Sequence, residues 1–89
     1  MKELIVDGKF MQSKEAMYRH LTRVFSLPSY FGNNLDALWD VLTENDEPTE
    51  INFINVDLTR AYLGNYGDNL IGLLKKLEQE NENYTICFK

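Results

Sequence analysis

The chain has 89 residues, of which 44% are hydrophobic, and this length predicts one compact domain spanning residues 1–89. Cys87 is the only cysteine, which excludes an internal disulfide and is typical of a reducing compartment. The opening residues MKELIVDGK lack the apolar stretch of a signal peptide, and no run approaches membrane-spanning length. We therefore expect a cytoplasmic protein that does not bind membranes.

The formal charge of −5 is distributed unevenly along the chain. Residues 24–59 contain no lysine or arginine, and they carry a charge of −7 against +2 for the remainder. Such a field repels a phosphate backbone, which argues against direct nucleic-acid binding, and it attracts a cationic protein. The alternative is that the acids only keep the protein in solution. The acidic residues of this segment are Asp36, Asp40, Glu44, Asp46, Glu47, Glu50 and Asp57.

The first strand and helix are predicted from short apolar runs and their flanking residues. Leu4–Val6 before Asp7-Gly8 indicates a short buried strand that ends in a turn. Ser13 is a suitable N-cap for a helix through Phe25, and Leu27-Pro28 ends that helix. One apolar stripe of this helix comprises Met17, Leu21, Val24 and Phe25. His20 lies off the stripe, so we expect an ordinary surface histidine.

The next helix carries an unusual row of acids. Asn33-Asn34 can cap a helix over residues 35–43, whose buried face comprises Leu35, Leu38, Trp39 and Leu42. Asp36 and Asp40 then lie side by side and face outward, with Glu44 one turn further on. Like charges at this spacing cost roughly 0.2–0.5 kcal/mol per pair, and no basic residue lies three or four positions away to relieve them.

The second half of the chain predicts two more strands and two more helices. An acidic loop over residues 44–50 precedes a strand over residues 51–56, and Asp57 is a possible cap for a short helix to Leu63. A helix over residues 68–80 and a strand over residues 84–88 complete the chain. Three short apolar strands separated by helices indicate an α/β domain with a small parallel sheet packed by about four helices.

Catalytic and cofactor-binding patterns are absent from the sequence. Asp36, Asp40 and Glu44 are the carboxylates to consider for metal or acid–base catalysis, but the sole histidine lies in another helix. The glycines at 64, 67 and 72 match no nucleotide-binding spacing and are interpreted as helix punctuation. Cys87 lies in a strand that we expect to be buried, which predicts an inert thiol. We expect no enzymatic activity, no metal and no cofactor.

Aromatic residues next to the acidic helix favour a protein interface. Tyr30 and Phe31 precede Gly32 in a loop, and interfaces often use tyrosine and tryptophan as energetic anchors. The alternative is that these aromatic side chains only cover the core. We expect Phe31 to pack inward, Tyr30 to point outward and Trp39 to lie at the edge of the core.

The run LPSYFGNNLDALWDVLT, residues 27–43, resembles the central motif of the barstar family of bacterial intracellular ribonuclease inhibitors. The similarity extends to the opening strand ending at Gly8, to Tyr84-Thr85-Ile86 and to the order of the helices. It implies a three-stranded parallel sheet packed by helices. It also implies a 1:1 complex in which the second helix and the preceding loop plug the active site of a basic ribonuclease.

The resemblance assigns roles to individual residues. Asp40 would enter the basic pocket that normally holds an RNA phosphate, Asp36 would pair with a cation at the rim, and Tyr30 would pack near the catalytic histidine. Asn34 would offer its amide to the enzyme, and Thr43 would close the edge. The expected partner-binding set is Tyr30, Asn34, Asp36, Trp39, Asp40, Thr43, Glu44 and Glu80.

Two departures from the family pattern bear on the choice of target. Glu44-Asn45 stands where the family has Gly-Trp, and Lys76 stands where the family has another acid in the last helix. An alternative reading is therefore a barstar-like binding or immunity module for a basic protein that is not a ribonuclease.

Overall fold

Three parallel strands form one sheet, in which they lie in the same order as along the chain, and four helices lie in the two crossover connections. The computed structural model describes all 89 residues, and no helix in it combines the length and apolar character needed to cross a membrane. The predicted α/β fold is confirmed. The elements are β1 (Lys2–Asp7), a short 3-10 helix (Gly8–Phe10), α1 (Lys14–Phe25), α2 (Leu35–Glu44), β2 (Thr49–Ile54), α3 (Val56–Leu63), α4 (Asn65–Glu80) and β3 (Tyr84–Phe88).

The sheet is buried on one face and exposed on the other. Ile51 in the central strand is paired in register with Leu4 and Ile86, and this row belongs to the face that contributes to the hydrophobic core. The next row, on the opposite face, places Ile5 and Cys87 on either side of Asn52. Ile5 is 61% exposed and Cys87 is exposed. The prediction of a buried Cys87 was wrong, because side chains alternate between faces and the core lies on one face only.

The helix starts follow local capping chemistry at two of the predicted positions. The Ser13 hydroxyl accepts a hydrogen bond from the Ala16 N–H at 3.1 Å, and the Asn34 side-chain oxygen accepts one from the Ala37 N–H at 2.7 Å. Both side chains satisfy N–H groups that a helix start leaves without an internal partner. The predicted N-caps of α1 and α2 are therefore confirmed, and α2 extends one residue further than predicted, to Glu44.

The connection from β2 to α3 differs from the prediction. Strand β2 ends at Ile54, and α3 begins at Val56 directly after Asn55, so Asp57 lies inside the helix and does not cap it. Asn55 has a left-handed backbone with φ of 55°, a conformation that asparagine tolerates better than most residues. Its side-chain N–H also donates to the Asp7 carboxylate at 2.8 Å. This contact with β1 could not be read from the local sequence.

The end of β1 is a tightly packed junction that includes His20. The Nε2 atom of His20 accepts a hydrogen bond from the Asp7 N–H at 2.9 Å, and the imidazole is partly buried. The expectation of an ordinary surface histidine was therefore wrong. A Cβ atom on Gly8 would lie 2.1 Å from the Asn55 carbonyl oxygen, so only glycine fits there. Burial lowers the pKa of His20 and outweighs the opposing attraction of the Asp7 carboxylate.

The His20 contact predicts a stability that falls in mild acid. The folded pKa of His20 lies below its ordinary value of 6.5, so the unfolded chain binds the proton more readily. The contribution of neutral His20 is complete above about pH 6.5 and is lost as the pH falls through the folded pKa. We expect His20→Gln, which keeps an acceptor but does not titrate, to flatten the dependence of the unfolding free energy between about pH 7.5 and about pH 5.5. Urea denaturation at a series of pH values measures this dependence. Equal changes of the unfolding free energy with pH in the wild type and in His20→Gln would contradict this account.

Candidate protein-binding surface

The apolar stripe of α2 determines which side chains of this helix face the solvent. Leu38 and Leu42 are buried, whereas Trp39 is partly buried and packs against the core cluster at its edge, as predicted. With this stripe directed inward, Asp36 and Asp40 are exposed on the outer surface. Burial of apolar area is the main stabilising term for such a helix, so the position of both carboxylates follows from core packing.

The carboxylates of α2 have no cationic partner within the protein. Asp36, Asp40 and Glu44 follow one another at intervals of four residues, and all three are exposed. The ion pairs within 4.0 Å are formed elsewhere, between Lys9 and Asp7, Arg60 and Asp68, and Lys76 and Glu80. The mutual repulsion of the three α2 carboxylates is therefore not offset by an ion pair within the protein.

The Thr43 hydroxyl does not stabilise the acidic row. It donates within α2, at 2.8 Å from the Trp39 carbonyl oxygen and 3.1 Å from that of Asp40. A hydroxyl directed at the backbone of the preceding turn gives no hydrogen bond to a carboxylate. Thr43 nevertheless lies next to Asp40 on the exposed side of α2 and remains part of the same surface.

The loop before α2 is anchored by one aromatic residue and exposes the other. Phe31 packs against the core, with its ring centroid 6.0 Å from that of Tyr18. The Tyr18 hydroxyl forms a hydrogen bond with that of Tyr66 on α4, and burial raises the pKa of Tyr18. Tyr30, in contrast, is 87% exposed. The predicted directions of Phe31 and Tyr30 are confirmed, and an exposed tyrosine next to an anchored loop is suited to an interface.

The Asn34 side chain is largely committed to the structure of the loop. Its oxygen caps α2, and its amide nitrogen donates to the Gly32 carbonyl oxygen at 3.2 Å. An amide has two N–H donors, so one of them remains available to a partner. The same contacts that fix the start of α2 thus leave a single directed donor on the exposed loop.

A groove of about 310 Å³ separates α2 from α4. The Lys76 Nζ atom lies 5.2 Å from the centroid of the Trp39 ring, and it is 4.0 Å from a carboxylate oxygen of Glu80. Lys76 thereby connects two residues that were predicted separately as partner contacts. The groove is lined by Leu35, Asp36, Trp39, Asn69, Gly72, Leu73 and Lys76.

Gly72 belongs to the groove and was misinterpreted from the sequence. It was predicted to punctuate a helix, but α4 runs without interruption from Asn65 to Glu80. Sequence reasoning therefore missed the groove. The available signal was a glycine in the middle of an otherwise regular helix, which is unfavourable unless packing or function requires it.

Comparison with known proteins identifies a family and a relative of the chain. The family model described as "Barstar (barnase inhibitor)" matches residues 1–89, which is the whole chain. The protein named "Putative ribonuclease inhibitor YrdF" from Bacillus subtilis (strain 168) is 32% identical over 81 residues, covering 90% of this chain and 89% of the relative. Both matches include the loop and helix that form the acidic surface described above.

The acidic row of α2 predicts that removing its central charge stabilises the free protein. Asp40 has a like-charged neighbour on each side, so we expect Asp40→Asn to raise the unfolding free energy by about 0.2–0.5 kcal/mol for each of the two pairs. Asparagine and aspartate have similar helix propensities, so the increase in the unfolding free energy is attributable to the removed charge. Urea denaturation at low ionic strength measures it.

A matched control is Glu82→Gln, which makes the same change in net charge on an exposed turn outside the helices. An equal gain in both variants would attribute the effect to total charge and would contradict local repulsion within α2.

Proposed function

Because the chain belongs to the barstar family, we propose that it is an inhibitor that binds a basic ribonuclease in a 1:1 complex. One observation carries the proposal: an exposed row of carboxylates on α2 without an ion-pair partner, with the exposed Tyr30 in the loop that precedes this helix. The name of the Bacillus subtilis relative supports the same class of target. Ribonucleases that bind a polyanionic substrate present cationic side chains in their active sites, and these complement such a row.

The carboxylates of α2 mimic the negatively charged phosphates of the RNA backbone. Asp40, at the centre of the row, occupies the position for a substrate phosphate, and Asp36 pairs with a second cation at the rim of the enzyme's cleft. Charge-assisted hydrogen bonds from arginine and lysine then replace the like-charge repulsion of the free helix. Because α2 is held by its buried stripe, the carboxylates reach the enzyme already arranged, and little conformational entropy is lost on binding.

The loop and the helix edges complete the proposed contact surface. Tyr30 supplies a large aromatic contact, and the free N–H of Asn34 donates to the enzyme. Thr43 and Glu44 extend the contact along α2, while Trp39 and Glu80 form its border toward α4. Interfaces of this kind derive most of their affinity from a few aromatic and charged anchors, with the surrounding contacts excluding water.

The alternative is a binding or immunity module for a basic protein other than a ribonuclease. The two readings share the acidic surface and differ in the activity of the captured protein. Affinity capture with the wild-type chain and with Asp40→Ala as the negative bait separates them. A specifically captured protein that does not cleave RNA would favour the alternative.

The proposal predicts a large loss of inhibition when Asp40 is truncated. We expect Asp40→Ala to weaken the complex by about 2–5 kcal/mol, because the cation that it pairs with is left desolvated and unpaired. The measurement is the inhibition constant against a panel of small basic microbial ribonucleases. Glu82→Ala is the control of equal charge change, and its inhibition constant should stay close to wild type. Equal inhibition by Asp40→Ala and the wild type would refute the phosphate-imitation mechanism.

Electrostatic attraction also predicts salt-dependent association. We expect the association rate constant to fall roughly tenfold or more between about 0.05 M and about 0.5 M salt. Added salt shortens the distance over which the acidic surface attracts a cationic enzyme, so fewer encounters are steered into the complex. The dissociation rate constant should change much less. Stopped-flow mixing over a salt series measures both, and an association rate that is independent of salt would exclude charge steering.

A further inference from the structure

Gly72 is a glycine that the fold does not require. It lies near the middle of the sixteen-residue helix α4 and does not have the positive φ that would demand glycine. A Cβ atom placed on it would meet no atom within 4 Å beyond its chain neighbours and the nearby backbone of α4. Glycine in a helix interior costs about 1 kcal/mol relative to alanine. The missing side chain therefore has no role inside the protein, and its effect is to keep the groove between α2 and α4 open.

The groove has walls of opposite charge. Asp36 lies on the α2 wall and Lys76 on the α4 wall, and Trp39 contributes apolar surface between them. The Lys76 ammonium lies 5.2 Å from the Trp39 ring centroid, a distance at which a cation is attracted to the face of an aromatic ring. A uniformly cationic partner would meet repulsion at this point, whereas an acidic side chain would find a complementary charge.

The Lys76 ammonium is available to a partner. The only carboxylate within 4.0 Å of it is that of Glu80, and the two side chains are 63% and 56% exposed. Exposed pairs of this kind contribute little free energy and exchange readily with other partners. Contact with the Trp39 ring restricts the lysine side chain, so part of its ordering cost is met before binding.

We propose that the groove between α2 and α4 receives an acidic side chain of the target ribonuclease, with its carboxylate paired to Lys76 and its stem lying over Gly72. The inference rests on the proposed function and specifies its target. The ribonuclease that this chain recognises carries a carboxylate beside the cation that pairs with Asp36. Lys76 thereby acts as a specificity determinant, because a ribonuclease with a cation at that place is rejected by like-charge contact.

Charge reversal at two adjacent lysines tests the pairing. Lys76→Glu and Lys75→Glu change the net charge equally, but Lys75 lies toward the other side of α4, with its Nζ atom 5.7 Å from the Phe88 ring centroid. The probe is the ribonuclease that the wild-type chain inhibits most strongly in a panel that includes barnase. We expect Lys76→Glu to raise the inhibition constant at least tenfold relative to Lys75→Glu, mainly through faster dissociation. Equal effects, or tighter inhibition by Lys76→Glu, would overturn the proposal.

Filling the groove is an independent test that does not alter charge. Since a side chain at residue 72 meets open space and leucine favours helix, we expect Gly72→Leu to unfold at or above the wild-type temperature. We expect the same variant to inhibit at least tenfold less well, because the added side chain occupies the space of the partner's stem. Wild-type inhibition by a stably folded Gly72→Leu would overturn the proposal.

The result with the wild-type chain distinguishes a failure of the groove proposal from a failure of the proposed function. If the wild type inhibits a ribonuclease and the variants at residues 72 and 76 inhibit it equally well, only the groove proposal fails. If the wild type inhibits none of the panel, the proposed function fails and the groove proposal fails with it.

Discussion

Burial of the apolar stripe of α2 is the interaction on which the acidic surface depends. Leu38 and Leu42 are held in the core, and Trp39 closes its edge, so α2 cannot rotate without exposing a large apolar area. This burial outweighs the modest repulsion between Asp36 and Asp40, and for that reason the protein keeps a row of unpaired carboxylates on one face. Because the free energy of apolar burial exceeds that of the charge repulsion, core packing determines the orientation of α2 and therefore the position of its carboxylates.

Several features of the surface proposed for binding lower the stability of the free protein. The carboxylates of α2 repel one another, the aromatic ring of Tyr30 is exposed to solvent, and Gly72 lowers the helix propensity in the middle of α4. Polar groups elsewhere are paired, as at the junction where Asp7 meets Asn55 and His20. No buried side-chain nitrogen or oxygen lacks a hydrogen-bond partner. Such an uneven distribution is expected when local instability is retained for binding.

The charges on the surface also suggest how related inhibitors acquire different targets. An acidic helix alone suits any enzyme with a cationic cleft and gives attraction with limited discrimination. A single cation at the border of that surface, such as Lys76 beside Trp39, adds a position that favours one target and penalises others. In the proposed complex, α2 provides the attraction and α4 the discrimination, and each can change without disturbing the core that both helices share.

Local chemistry was enough to predict the order of the elements and most of the proposed surface, although β2 and α4 begin two and three residues earlier than predicted. Ser13 and Asn34 cap their helices through contacts three residues away. Short apolar runs indicated the strands, and apolar spacings of three and four residues indicated the buried faces of the helices. Tertiary structure alone decided which face of the sheet is covered, and so the exposure of Cys87. It also decided the partners of His20 and Asn55 and the groove between α2 and α4. These features arise between residues distant in the chain, and local spacing carries no information about which distant elements meet.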